Sequence, residues 1–186
     1  MTYVDLIRKT AREQDMEASV IDVFANLMTY IEEKRWQGAC HACSSALYVA
    51  LCERGLDPRL CIGECRYGAD GIPFDHSWIE LDGKPFDVAC AMRLDTGAPI
   101  CAPVIGGVDV ETGESTEMRY GIEFLGLGQD AMTVYLTPFA DFMDGYPYER
   151  DGLWTIVGRC LGETVDVDEL RRRYAHTARD CVRRGE

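Results

Sequence analysis

The hydrophobic positions in the first third of the chain recur with the 3.6-residue period of amphipathic helices. They predict a short helix over 2–12, a longer one over 16–36 and a third over 40–54. The longer helix carries the clearest apolar stripe: Val20, Val23, Phe24, Leu27 and Ile31. Gly55 and Pro58 end the third helix, because glycine favours the left-handed position after a helix and proline prevents continuation.

The period changes to two after the third helix, which is typical of β-strands. Residues 59–67 alternate, and 76–81 and 84–89 are two further strand-like runs. Asp82-Gly83 between those two runs is a strong hairpin signal, because both residues tolerate the positive φ that tight hairpin turns require. Helices followed by an antiparallel hairpin predict an α+β fold.

The second half of the chain has weaker periodicity. Residues 91–118 are rich in glycine and proline and predict loops with one or two strands. The runs 123–127 and 132–136 fit either strands or short helices, and 139–148 is aromatic and rich in turn residues. Residues 166–184 predict a final helix. Its basic residues are Arg171, Arg172, Arg173, Arg179, Arg183 and Arg184.

Length and composition indicate one soluble globular domain. The chain has 186 residues, of which 47% are hydrophobic and 27% are charged, and it contains no repeat and no linker. We therefore expect a single domain over 1–186, with a core over 16–90 and a C-terminal extension over 91–186.

Charge narrows the classes of partner. The formal net charge is −13, which argues against nucleic-acid binding and against anionic membranes, since both need a basic face. Ten acidic residues but only two arginines lie between 109 and 151. That segment is either a solvated acidic surface or a docking surface for a basic peptide.

Cysteine usage and hydropathy bear on the compartment. No segment has the continuous apolar core of a signal peptide or of a membrane span. The nine cysteines are then expected to be reduced thiols rather than a disulfide framework. The sequence predicts a cytoplasmic protein.

Three residues offer the parts of a thiol-nucleophile triad. Cys40 opens the third helix, His76 lies on one predicted strand and Asp87 lies on the next. A helix N-terminus and an imidazolium both favour the thiolate, which is the attacking form of cysteine. A carboxylate across the hairpin can hold the second nitrogen of the imidazole.

These residues stand in segments that resemble the core motif of the transglutaminase-like superfamily. The segments are Gly38-Ala39-Cys40, Gly55-Leu56-Asp57-Pro58-Arg59, His76-Ser77-Trp78-Ile79-Glu80 and Phe86-Asp87. The similarity covers 38–89 and is greatest to the bacterial branch that includes leader peptidases of lasso-peptide biosynthesis.

The resemblance implies a papain-like fold in which a nucleophile helix packs on an antiparallel sheet. It implies that Cys40 is the nucleophile, His76 the general base and acid, and Asp87 the residue that orients His76. The expected reaction is hydrolysis or acyl transfer at an amide or peptide carbonyl through a thioester. It implies no cofactor and no metal, a peptide or protein substrate, and for the lasso branch a small recognition-partner protein.

Other interpretations remain open at this stage. Cys43 competes as nucleophile and His41 as base, although His41 would point away from its neighbour on a helix. Cys40-His41-Ala42-Cys43 also fits a C-x-x-C redox site, though a thioredoxin-like site would follow a strand. A zinc site would need four cysteines: Cys40, Cys43, Cys61 and Cys65. A catalytically inactive binding or scaffold module is the alternative from a different class.

Several residues near the motifs have two readings. Trp78 is expected in the core, and Glu80 either lies near the site or is a solvated strand residue. Gln37 is a guess for the second oxyanion donor beside the Cys40 N–H. His176 is expected at the surface. A packed flap, or alternatively a substrate groove, is expected from four aromatic residues: Phe139, Phe142, Tyr146 and Tyr148.

Overall fold

A computed structural model describes residues 1–91 and 100–184, and within them the fold is α+β. The helices are α1 (Tyr3–Glu13), α2 (Ala18–Lys34), α3 (Cys40–Glu53), α4 (Gln129–Leu136), α5 (Phe139–Asp144), α6 (Leu153–Leu161) and α7 (Val167–Tyr174), with a 3-10 turn at Ala89–Ala91. The strands are β1 (Arg59–Tyr67), β2 (Phe74–Leu81), β3 (Lys84–Phe86), β4 (Val104–Ile105), β5 (Val108–Asp109), β6 (Met118–Ile122) and β7 (Asp180–Cys181).

The three N-terminal helices follow the predicted pattern and differ only at their ends. Thr2 caps α1 by accepting a hydrogen bond from the N–H of Asp5, so the helix begins one residue later than predicted. α2 is shorter than 16–36, because Glu17 is extended and Arg35 adopts a left-handed conformation with φ of 48°. α3 begins at Cys40, as predicted.

The main sheet has the order β3-β2-β1-β6, with β7 pairing alongside β1. The pairs among β3, β2, β1 and β6 are antiparallel, whereas β7 runs parallel to β1. The turn between β2 and β3 lies at Asp82 and Gly83, whose φ values of 51° and 73° confirm the predicted tight hairpin. β3 ends at Phe86, earlier than predicted, since Asp87 instead exchanges backbone hydrogen bonds with Val104.

The main sheet separates two apolar clusters. The larger cluster lies between α1, α2, α3 and α6 and the face of β2 that carries Ile79. The smaller cluster lies on the opposite face, around the buried Trp78 and Tyr120. Alternation along β2 therefore sends Ser77 and Ile79 toward the helices and His76 and Trp78 toward the smaller cluster.

The predictions for the second half of the chain were less accurate. The expected loop region over 91–118 contains β4 and β5, and its part over 92–99 lies outside the described residues. Residues 123–127 form a loop, whereas 132–136 belong to α4. The sequence pattern did not predict β6 or α6. Among the described residues, no helix is long and apolar enough to cross a membrane.

The predicted final helix over 166–184 was wrong. α7 ends at Tyr174, and the chain then runs extended into β7. The N–H of Val182 donates to the carbonyl of Ile62 on β1, 2.9 Å away, and the Val182 side chain is 7% exposed. β1 offers this pairing because β6 covers only its other half, so sheet hydrogen bonds and apolar burial outweigh the local helix pattern.

The C-terminal strand predicts an alternating effect of mutation. Val182→Ala should lower the free energy of unfolding by about 1–2 kcal/mol, because it removes buried methyl groups packed against Gly121. Cys181→Ala is the matched control, since Cys181 is exposed, and should change stability by less than about 0.5 kcal/mol. Urea denaturation of both variants checks this. Equal effects at the two positions would contradict the strand.

Candidate active site

Cys40 is the first residue of α3, and its side chain is partly exposed. The backbone N–H groups of a first helical turn have no acceptor within their own helix. Ala39, the residue before α3, provides no side-chain cap for them. The thiol therefore stands beside unpaired N–H groups and the positive end of a helix dipole, an environment that favours negative charge.

His76 is the third residue of β2 and is 3% exposed. Its Nε2 lies 2.6 Å from Oδ2 of Asp87. β3 pairs only with the stretch of β2 from Ile79 to Leu81, so β3 does not cover His76 at this edge. Continuing that register would place Asp87 opposite Trp78, on the same face as His76 and diagonal to it, as hairpin geometry predicted.

Asp87 is held on both of its carboxylate oxygens. Oδ1 accepts hydrogen bonds from the N–H groups of Ala89, at 3.0 Å, and Cys90, at 3.3 Å. Oδ2 accepts the hydroxyl of Tyr120, at 3.2 Å, in addition to its contact with His76. Burial alone would raise the pKa of Asp87, but the charge of His76 and these hydrogen bonds together lower it.

The hydrogen bonds of His76 leave its other ring nitrogen for Cys40. Burial disfavours the imidazolium, but the Asp87 carboxylate, and then a hydrogen bond with Cys40, raise the pKa of His76 well above its usual value. Because Asp87 takes Nε2, Nδ1 is the nitrogen that remains for the thiol. The structure thus brings together the three residues that the sequence singled out.

His41 follows Cys40 but faces β2. Its Nδ1 lies 2.6 Å from Oγ of Ser77, and Oγ of Ser44 donates to the carbonyl of Ser77 at 2.8 Å. Burial, with smaller effects from the positive charges of His76 and Arg179, lowers the pKa of His41 to about 4. His41 is therefore neutral at pH 7 and ties the start of α3 to the strand that carries His76.

The competing cysteines occupy different environments. Cys43 is buried, and burial raises its pKa well above the usual value. Cys61 and Cys65 lie on β1 within the smaller apolar cluster, where burial raises the pKa of each to about 12. In 1–91 and 100–184, no group of three His, Cys, Asp or Glu side chains is placed to hold a metal ion. The chain before Cys40 is α2 and its connecting turn, not the strand of a thioredoxin-like site.

Trp78 is fully buried, as predicted, and Glu80 is not the solvated strand residue that one reading expected. Glu80 is 1% exposed, and its Oε1 accepts the Trp78 indole N–H at 3.0 Å. Arg59 and Arg184 donate to the same carboxylate, at 3.0 and 2.6 Å. These contacts make Glu80 a link between β1, β2 and the C-terminal segment.

The remaining candidate residues from the sequence differ in exposure and packing. Gln37 and His176 are exposed. Of the aromatic set, Phe139 is buried against Tyr48 and Trp154, and Tyr146 packs on Trp36. Phe142 lies under the guanidinium of Arg179, whereas Tyr148 is 81% exposed. Most of this set therefore packs against the rest of the chain.

Two residues near the site, Tyr120 and Arg179, were not predicted from the sequence. Tyr120 comes to Asp87 from β6, a strand whose only local signal is the alternation of Met118, Arg119 and Tyr120. Arg179 is 7% exposed, and burial lowers its pKa to about 10. One of its terminal nitrogens donates to the carbonyl of Thr137 at 3.1 Å, and the other has no hydrogen-bond partner among the described residues.

Comparison with family models, with curated proteins and with solved structures found no match to this chain.

The buried pair predicts a pH dependence that Asp87→Asn should change. The raised pKa of His76 means that its contribution to stability is present at neutral pH and is lost as pH rises through the folded-state value. The contribution of Asp87, whose pKa is lowered, is lost as pH falls through its folded-state value. Asp87→Asn should flatten both limbs of a stability–pH curve and move the pKa of His76 back toward its ordinary value.

NMR titration of the three histidines measures this directly. In the native chain, the pKa of His41 should be near 4 and that of His76 well above the ordinary value of a histidine. Asp180→Asn is the matched control, because that carboxylate pairs with Arg59 and not with a histidine. An unchanged His76 titration in Asp87→Asn would refute the proposed ion pair.

Proposed function

We propose that this protein is a cysteine hydrolase or acyltransferase with a transglutaminase-like, papain-like fold, acting on an amide or peptide carbonyl. The observation that carries the proposal is the arrangement of three side chains: Asp87 lies 2.6 Å from His76, and Cys40, at a helix N-terminus, is near enough to His76 to raise its pKa. A nucleophile, a base and an orienting carboxylate in hydrogen-bond sequence are the requirements of covalent acyl transfer. The resemblance of 38–89 to the transglutaminase-like motif supports the same chemistry.

In this mechanism Cys40 gives its proton to His76, and the thiolate sulfur forms a bond to the carbonyl carbon. The C=O π electrons move to oxygen, and their return expels the amine as the C–N bond breaks. His76 donates its proton to that amine, which leaves a thioester on Cys40. His76 then takes a proton from water or from an acceptor amine as that nucleophile attacks, and the thiolate departs.

The helix start supplies an oxyanion donor for the tetrahedral intermediate. Cys40 is the first residue of α3, so its N–H has no acceptor in its own helix and is available to a carbonyl oxygen that becomes negative beside the thiol. Gln37 is exposed just before α3, and no contact in the structure commits it to the role of second donor. We therefore assign one donor to the backbone of Cys40.

Tyr120 has a positioning role in this proposal. Its hydroxyl donates to the Asp87 oxygen that also faces His76, so it fixes the direction in which the carboxylate points. The two N–H groups of Ala89 and Cys90 hold the other oxygen. An orienting carboxylate fixed in this way keeps His76 in the tautomer that presents Nδ1 to Cys40.

The proposal predicts that reactivity among the thiols does not follow exposure. Cys181 is exposed and Cys40 only partly so, so exposure alone would make Cys181 the faster to alkylate. We expect iodoacetamide at neutral pH to modify Cys40 at least about tenfold faster than Cys181, because the thiolate is the reacting form. Peptide mass spectrometry over a time course measures both rates in one sample.

His76→Gln tests how much of the reactivity of Cys40 is due to the imidazole and how much to the helix N-terminus. It should remove most of the rate advantage of Cys40, while His176→Gln, at an exposed histidine, should leave it unchanged. Fastest labelling at Cys181, together with no effect of His76→Gln, would instead favour the non-catalytic binding or scaffold module.

A second prediction tests acyl transfer itself, with p-nitrophenyl acetate as an activated acyl donor. We expect one acetyl group on Cys40, release of p-nitrophenol and slow hydrolysis of the thioester. Cys40→Ala should abolish acetylation, and Cys43→Ala is the matched control in the next turn of α3. Intact-protein mass and p-nitrophenol absorbance report the two products. Acetylation that persists in Cys40→Ala would exclude Cys40 as the nucleophile.

A further inference from the structure

Large exposed apolar side chains concentrate in one stretch, 124–136. In 1–91 and 100–184, five of the eight exposed large hydrophobic residues lie there. They are Phe124 at 59%, Leu125 at 85%, Met132 at 37%, Tyr135 at 37% and Leu136 at 70% exposed. Single exposed hydrophobic residues are ordinary, whereas a group of them marks an interaction surface. We call residues 124–136 the apolar rim.

The loop that begins the rim is held firmly by the sheet. The buried carboxylate of Glu64 on β1 accepts three consecutive N–H groups, from Phe124, Leu125 and Gly126, at 3.1, 3.0 and 2.8 Å. Asp75 on β2 accepts the N–H of Gly128 at 3.0 Å. The exposed side chains of this loop are therefore presented by a fixed backbone.

Hydrogen bonds with Asp75 on β2 and with Arg179 hold the two ends of α4. Asp75 shares a face of β2 with Ser77, and Ser77 contacts His41 next to Cys40. At the other end, Thr137 accepts a hydrogen bond from Arg179, whose charge lowers the pKa of His41. The rim is thus connected at both ends to residues around His41, the neighbour of Cys40.

The charges along the rim are acidic. Glu123 and Asp130 are exposed within or beside it, and no lysine or arginine occurs between Arg119 and Arg150. Burial, then the negative charges of Glu64 and Asp130, raise the pKa of Asp75, so these carboxylates act on one another. Arg183 near Gly126 is a basic group at the loop end, and the buried Arg179 is already engaged with Thr137 and the ring of Phe142.

We propose that the apolar rim binds the part of the substrate peptide adjacent to the scissile bond, and that this part combines large apolar residues with lysine or arginine. Side chains such as leucine would cover Leu125, Met132 and Leu136, and a basic residue would face Glu123 and Asp130. The proposal rests on the proposed function, because it identifies the substrate class for Cys40.

Binding can be tested separately from catalysis with Cys40→Ala, which cannot form the thioester. The probes are three fluorescein-labelled peptides of equal length, containing leucine with lysine, leucine with glutamate, or serine with lysine. Fluorescence anisotropy should show that the leucine–lysine peptide binds at least about tenfold more tightly than either of the others. Equal binding of all three peptides would overturn the proposal.

Substitutions in the apolar rim test whether the peptide binds there. Leu125→Ser with Leu136→Ser should weaken binding of the leucine–lysine peptide by about tenfold or more, since each removes apolar contact area. Tyr148→Ser is the matched control, because it removes an exposed aromatic side chain outside the rim. Glu123→Gln with Asp130→Asn should weaken binding of the lysine peptides only. An equal loss in Tyr148→Ser would overturn the assignment to the rim.

Acetylation of Cys40 by p-nitrophenyl acetate distinguishes this proposal from the proposed function. The native chain and Tyr148→Ser, which changes neither the rim nor the triad, should be acetylated at the same rate. Preferential peptide binding without acetylation would support the rim and sink the acyl-transfer proposal. Acetylation without preferential peptide binding would do the reverse.

Discussion

The buried contact between His76 and Asp87 is the constraint on which the rest of the site depends. Taking two charges out of water is expensive, and the cost is offset only when each charge has well-placed partners. Asp87 receives three hydrogen bonds besides its contact with His76, from a 3-10 turn and from β6. The early end of β3, the turn at Ala89–Ala91 and the position of Tyr120 follow from that requirement. Together these features provide the hydrogen bonds that allow the buried carboxylate of Asp87 to stay ionised.

α3 and His76 lie on opposite faces of the main sheet. His76 faces the smaller apolar cluster, whereas α3 packs against the opposite face through Ser77. Cys40 nevertheless raises the pKa of His76, and β3 leaves the edge of β2 beside His76 unpaired. A longer β3 would satisfy more of the β2 backbone but would close that edge. The short strand is therefore a local loss of sheet pairing that leaves the edge of β2 beside His76 open.

Much of the first half of the fold could be predicted from the sequence because its signals are local. Gly55 and Pro58 stop a helix, and Asp82-Gly83 sets a hairpin turn, whatever the rest of the chain does. β6, by contrast, is defined by pairing with β1, and α6 has only nine residues, too few for a helical period to stand out from the sequence. The arginines after Tyr174 suit a helix locally, yet Val182 gains a sheet partner and a buried position. Tyr120 and Arg179 could not be predicted as site residues for the same reason, since only tertiary contacts bring them to the site.

Burial also makes the environments of the nine cysteines differ from one another. Ionising a thiol in an apolar environment is unfavourable, and burial raises the pKa of six of the others: Cys43, Cys52, Cys61, Cys65, Cys90 and Cys160. Those thiols stay neutral and pack as small apolar side chains. Cys40 differs in lying at a helix N-terminus and beside the positively charged imidazole of His76. Differences in solvation and charge can therefore suit one thiol of a cysteine-rich chain to the proposed nucleophilic role, with no special sequence at the others.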